Sequence, residues 1–257
     1  MKKVISLKNH HMHLFCILNI YFEENGGIAM PIRYIQQTFI KYNKGKGFIC
    51  GHVDALHAAS PAADKYTDKM VEKLIKEIGC AGIIGTVSRM ECDLNRRPNG
   101  SNDEGIQEYR GAVKDLLNFL QIIDPFTKKL TAPYLHLSFH GMKDTHYGPL
   151  GIEVGSLCGQ SCSSTVQKWF QEKLIFKAQE ISSEIKIVFN EKFIGDESII
   201  FHRKGDLNGY LGYGEHFHTF QIELSRTLRR KYLTRISKIF SQIMTDFQTE
   251  FVALDRS

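Results

Sequence analysis

At 257 residues, 42% hydrophobic and 24% charged, the chain has the balance of an ordinary globular protein and the length for one large domain or two small ones. A core of that size needs no disulfide staple, and a net charge of +5 is modest. The six cysteines are scattered. Only Cys158 and Cys162 lie close together, so the set reads as free thiols in a reducing, cytoplasmic compartment and not as a metal site.

The N-terminus carries a short apolar run, Leu14 to Phe22, far too short to span a bilayer. His10, His11 and His13 before it, and Glu23 and Glu24 after it, make a poor secretion signal. No membrane partner is expected. Asn25-Gly26-Gly27 reads as a break. Residues 1–29 are therefore expected to be an extension outside the fold, with Met30 an alternative start, and residues 30–257 a single domain.

Residues 32–42 mix apolar and polar residues as a strand or short helix before a loop at Asn43–Gly47. Phe48–Leu56 is strand-like and ends at His57, followed by a small-residue loop with Pro61. Thr67 or Asp68 can cap a helix whose stripe is Met70, Val71, Leu74, Ile75 and Ile78, and Gly79 ends it. A buried strand, Gly82–Val87, leads into Asp93-Leu94-Asn95-Arg96. Helix 106–122 follows, closed by Pro125. Strand Tyr134–Phe139 ends in His140-Gly141. This β-α-β-α-β rhythm predicts an α/β fold with a mostly parallel or mixed central sheet flanked by helices.

Lys143–Gly151 reads as a loop, 169–182 as a helix, 185–189 as a strand, and 193–214, with several glycines, as loops and short strands. His218–Leu224 alternates, placing Phe220 and Ile222 on one side and Gln221 and Glu223 on the other. The chain ends in a basic amphipathic helix. Its run from Ser225 to Lys238 holds six basic residues and no acid. A core-packed helix with a solvated basic face is the expected reading, and nucleic acid is not the expected partner.

Ligands of open α/β sheets bind beyond the carboxyl ends of the strands. Polar signals fall at four predicted ends: His57, Asn95-Arg96, His140 and Glu223. Two imidazoles and a carboxylate are the usual ligands of a catalytic zinc. His57 and His140 supply the imidazoles and Asp64 the carboxylate, with Asp54, Asp68 and His52 as competitors. Glu223 is a candidate general base; the alternative is an ion pair with Arg226 or Arg229. Arg96 offers a two-pronged grip for a substrate carboxylate, the alternative being a pairing with Asp93.

These stretches in this order resemble the N-formylglutamate amidohydrolases, and more remotely the zinc carboxypeptidases. The carrying residues are HAASP at 57–61 with DKYT at 64–67, SRMECDLNR at 88–96, LSFHG at 137–141, GIEVGSLCGQSC at 151–162 and HTFQIELSRTLR at 218–229. The resemblance covers roughly residues 46–232. It implies a three-layer, zinc-exopeptidase-like domain. His57, Asp64 and His140 would bind zinc, Glu223 would activate the attacking water, and Asn95 and Arg96, with Arg89, would hold a substrate carboxylate. The carboxypeptidase His-x-x-Glu spacing is absent, since residues 58–63 separate His57 from Asp64. The expected activity is hydrolysis of the amide bond of N-formylglutamate or a similar small anionic N-acyl amino acid. The alternative from a different class is a non-catalytic module that binds nucleic acid or an acidic partner through the basic C-terminal helix.

Overall fold

A computed structural model describes residues 31–253. The expected extension at residues 1–29 and the alternative start at Met30 lie outside the described residues. From Tyr34 onward the described residues form one compact unit.

In chain order the strands are β1 (Ile35–Gln36), β2 (Ile40–Asn43), β3 (Gly51–Ala55), β4 (Ala81–Gly85), β5 (Tyr134–Met142), β6 (Gly151–Gly155), β7 (Lys186–Phe189) and β8 (Phe217–Ser225). The helices are α1 (Thr67–Ile78), α2 (Asp103–Phe119), α3 (Asp144–Tyr147), α4 (Ser164–Ile181), α5 (Ser198–Lys204), α6 (Arg226–Lys231) and α7 (Leu233–Phe247), the last running into a π-turn at Gln248–Val252. All eight strands form one sheet in the order β1-β2-β4-β3-β5-β8-β6-β7. The centre, β4-β3-β5-β8, is parallel, and β2 and β6 join it antiparallel. This is the mixed sheet flanked by helices that the sequence predicts.

The two faces of the sheet follow from the period-2 alternation of its strands. On one face Leu137 and Phe139 of β5 and Phe220, Ile222 and Leu224 of β8 are buried under α1, α4 and α7. Phe139 meets Phe240 of α7 edge-on at 5.0 Å, and Phe170 of α4 stacks on Phe220 at 4.0 Å. Fully burying each such side chain contributes about 1.5–3 kcal/mol. The basic C-terminal segment belongs here. Ile236, Ile239, Phe240, Ile243 and Met244 are core, and Arg226, Arg230, Lys231, Arg235 and Lys238 are exposed. Arg229 is the exception. It is buried, and its guanidinium donates to the carbonyls of Leu224, Lys65 and Met142. It lies against Gly141, where a Cβ would collide with it.

The opposite face carries the polar half of the alternation: His52 and Asp54 on β3, His136, Ser138 and His140 on β5, and Thr219, Gln221 and Glu223 on β8. The register aligns them in rows: His52, His136 and Thr219; then Asp54, Ser138 and Gln221; then His140 and Glu223. Helices α2 and α5 cover the lower rows, since Tyr109 of α2 reaches Asp54 and His202 of α5 meets His136.

Several elements differ from expectation. The basic helix is broken at Tyr232 into α6 and α7. Segment 193–214 contains α5, and β6 opens at Gly151, where the Lys143–Gly151 loop reading ends, in residues to which the sequence assigns no element. The helix expected at 106–122 starts and ends three residues earlier. The helix expected at 169–182 begins at Ser164, where the Ser163 hydroxyl caps it by accepting the Val166 N–H.

Candidate active site

The site assembles at the carboxyl ends of β3 and β5, with His140 still on the β5 ladder, two residues before the strand ends. His57 leaves the end of β3. The loop after it is pinned: the Asp64 N–H donates to the His57 carbonyl at 2.7 Å, and the Thr67 hydroxyl donates to the Asp64 carbonyl at 2.7 Å. That places the Asp64 carboxylate between two imidazoles. Asp64 Oδ2 lies 3.6 Å from His57 Nδ1 and 3.5 Å from His140 Nδ1, and the two rings stand edge to face with centroids 4.9 Å apart. All three residues are buried.

The outer nitrogens of both rings are engaged. His57 Nε2 is 2.7 Å from Asp93 Oδ1, which also accepts the Asn95 N–H. His140 Nε2 is 3.0 Å from the Ser138 hydroxyl, which itself donates to Asp54 Oδ1 at 2.6 Å. Each ring proton is therefore drawn outward, and each Nδ1 lone pair faces Asp64. His57 Nδ1 is buried with no hydrogen-bond partner.

Three acceptors facing one another without a donor call for positive charge. Burial disfavours a charged imidazole, yet Asp64 and Asp93 lift the His57 pKa above its usual value. Burial would likewise raise Asp64, but His140, His57 and Arg89 outweigh it and hold the carboxyl well below the usual range. A divalent cation fits the same demand. Ligand atoms about 2.0–2.2 Å from a tetrahedral ion stand about 3.3–3.6 Å apart, close to the separations here. Two neutral imidazoles and a carboxylate suit zinc among common biological metals.

Glu223 lies across the strand pair from His140 in register and is buried. Its Oε1 accepts from Gln221 Nε2 at 3.2 Å, and Arg229, the alternative ion-pair partner, spends its donors on carbonyls. Burial pushes the Glu223 pKa up to about 7; the charge of Asp64 adds to the rise, and His140, Arg229 and Arg89 oppose it. Asn95 is buried, with Nδ2 3.2 Å from Gln221 Oε1 and 3.4 Å from His140 Nε2.

The arginines divide. Arg89 donates from Nη2 to Asp64 Oδ1 at 2.5 Å and from Nε to the Ala62 carbonyl at 3.0 Å, so it is tied to Asp64. Arg96 is half exposed: Nη1 donates to the Asn95 carbonyl at 2.8 Å, and Asp93 and Asp196 lie 3.9 Å away, which leaves Nη2 accessible. The competitors are not part of this group, though His52 and Asp54 belong to another whose ligand atoms also lie close enough together to hold a metal ion. Asp68 faces Lys69 on α1, while His52 and Asp54 join His136 in a second buried group. Asp93, Ser138 and Gln221 are additions that sequence reasoning did not assign to the site. The alternation of β5 and β8 was the available signal for Ser138 and Gln221, and the turn Asp93-Leu94-Asn95 for Asp93. A surface cavity of about 360 Å³, lined by Asn99, Arg110 and Asp206 among others, shares no residue with this group.

The architecture, one mixed sheet flanked by helices, is shared with solved α/β structures. The chain superposes on an N-formylglutamate amidohydrolase from Ralstonia eutropha JMP134 with a TM-score of 0.58 at 13% identity, covering 83% of this chain and 98% of that one. A gene product of Agrobacterium tumefaciens matches with a TM-score of 0.53 at 10% identity, covering 83% and 94%. A bacteriophage poly-gamma-glutamate hydrolase gives 0.47 at 13% identity, covering 89% and 95%. At these identities the likeness is one of fold. No protein-family model and no curated protein matches the chain. Among the described residues, no helix is long and apolar enough to cross a membrane.

Proposed function

We propose that the chain is a metal-dependent amidohydrolase acting on a small anionic N-acyl amino acid, with N-formylglutamate the reference substrate and zinc the reference metal. The observation that carries this reading is the convergence of His57 Nδ1, His140 Nδ1 and Asp64 Oδ2, with ring protons drawn outward by Asp93 and Ser138. The fold shared with a protein described as an N-formylglutamate amidohydrolase supports the substrate class.

His57, Asp64 and His140 would hold the cation, which when bound acts as a Lewis acid toward an amide carbonyl and lowers the pKa of water to about 7. Glu223 takes a proton from the attacking water at a carboxylate oxygen as the new C–O bond forms. It returns that proton to the amide nitrogen as the C–N bond breaks, releasing a carboxylic acid and an amine. Gln221 steadies one Glu223 oxygen for this exchange. Arg96 grips the substrate carboxylate through parallel N–H donors, and Asn95 adds an amide beside it. Arg89 tunes Asp64 and leaves only Nη1 for substrate.

The test is a screen of N-acyl amino acids with zinc-loaded protein and two variants. Glu223→Gln keeps shape and removes the base, so turnover should fall by about 10²–10⁴ with zinc retained. Arg96→Lys keeps charge but loses the two-pronged grip, so it should mostly raise KM. Near-normal turnover in Glu223→Gln, on a substrate the parent cleaves, would rule the mechanism out.

A further inference from the structure

The Ser138 hydroxyl has one proton, and Asp54, as a carboxylate, can only accept. At 2.6 Å that proton is committed to Asp54 Oδ1. Toward His140 the hydroxyl therefore presents only lone pairs, and at 3.0 Å it accepts the ring N–H from Nε2, while Asn95 Nδ2, farther off at 3.4 Å, donates to Gln221 Oε1 at 3.2 Å. His140 is left with a bare Nδ1, the atom 3.5 Å from Asp64. The other Asp54 oxygen takes the Tyr109 hydroxyl and His136 Nε2, each at 2.8 Å. With both oxygens bound and no exposed surface, the carboxylate cannot turn away. It also sits in register with Ser138 on the adjoining parallel strand, so the backbone ladder itself sets this alignment.

We infer that Asp54 is a positioning residue: acting through Ser138, it fixes the tautomer and orientation of His140, and through them the affinity of the His57–Asp64–His140 group for a cation. Its purpose rests on the metal reading above, but the tautomer does not, because the metal-free protein already holds it. Asp54 touches neither the candidate ligands nor the substrate space, so its effect runs through one hydroxyl. Outer partners of this kind are worth about 10–100-fold in metal affinity.

Asp54→Asn tests this cleanly. Tyr109 and His136 both donate to one side, which pins the new amide oxygen there and turns the NH₂ toward Ser138. The hydroxyl must then accept from the amide and donate to His140 Nε2. His140 is forced to carry its proton on Nδ1, where a cation would bind. Nitrogen-15 NMR of histidine-labelled, metal-free protein at alkaline pH reads the tautomer directly, with the resonance assigned by its loss in His140→Gln. Zinc titration reads the affinity. The parent should show the proton on Nε2. Asp54→Asn should move it to Nδ1 and weaken zinc about 10–100-fold. An unchanged tautomer, with zinc affinity within about twofold, would overturn the inference. If near-ultraviolet dichroism shows that Asp54→Asn does not fold, Ser138→Ala decides. It removes the link alone and should abolish the Nε2 preference, whereas a retained preference overturns the inference. A parent protein that binds no zinc would count against the metal reading, and the tautomer would still decide this one.

Discussion

One face of the sheet carries two groups made of the same parts, two imidazoles and a carboxylate, and they are wired oppositely. In the group of His52, Asp54 and His136 the carboxylate is saturated by donors: Ser138, Tyr109 and His136 all give it protons. Its two rings stack face to face at 4.0 Å and 7°, so their in-plane lone pairs run parallel and do not meet at a point. In the group of His57, Asp64 and His140 the rings stand edge to face at 73°, and their inner nitrogens converge on one carboxylate oxygen. Composition and burial do not separate the two. The direction of the lone pairs, and the place where each ring proton goes, do. The closed group has a carboxylate saturated by donors, with His52 Nε2 its one side-chain nitrogen buried without a hydrogen-bond partner, and the open group is left with acceptors facing acceptors. Ser138 joins them, so the closed group can set the geometry of the open one.

The pH dependence of stability should expose this contrast most strongly. In the open group Glu223 is raised from 4.5 to about 7 by burial. The folded state then binds the proton more tightly than the unfolded chain. Its stability contribution is full below pH 4.5 and is lost as pH rises through about 7. The closed group has the opposite sign. Burial, reinforced by the charge of His136, lowers His52 well below its usual value, and His202 beside it falls to about 3. Their neutral rings are stabilising above the unfolded histidine range near 6.5, and that stability is lost as pH falls below it. In metal-free protein, denaturation at pH 5 and pH 8 should show Glu223→Gln gaining on the parent by up to about 3 kcal/mol at the higher pH. His52→Gln should flatten the acid side instead. A Glu223→Gln difference that does not vary with pH would remove Glu223 from its raised state.

A smaller effect sharpens the division of labour. Tyr109→Phe removes one donor from Asp54 but leaves His136 on the same oxygen and Ser138 on the other. It should cost about 1–3 kcal/mol of stability by denaturant titration, with zinc affinity within about twofold. A large loss of zinc binding would mean the closed group is not merely structural at that corner.

Much of this was legible in the sequence. The alternation of His218–Leu224 put Gln221 and Glu223 on one side, and both are there, buried on the polar face. His57 and His140 were read as strand-end residues, and their rings do meet. What pattern could not do was choose between His57 and His52, or between Asp64 and Asp54. His52 and Asp54 share the parity of the polar face, so period-2 reasoning admits them equally; only the hydrogen bonds of the third dimension tell the two groups apart. The family resemblance grouped Arg89 with Arg96 as a substrate ligand; a side chain's immediate partner is fixed by packing, and Arg89 meets Asp64. Helix α5 was hidden because Gly195, Gly205, Gly209, Gly212 and Gly214 surround it with positive-φ turns, and its short apolar stretch cannot announce a helix on its own. The break at Tyr232 was equally silent, since the apolar stripe continues on both sides of it.

The central claim is that the open group, and not the closed one, holds a cation. Anomalous diffraction at the zinc edge, from crystals grown with one equivalent of zinc, tests it directly. The account predicts a single strong peak about 2.0–2.2 Å from His57 Nδ1, Asp64 Oδ2 and His140 Nδ1. A peak between His52 and His136, or none in protein shown to be folded, would contradict it.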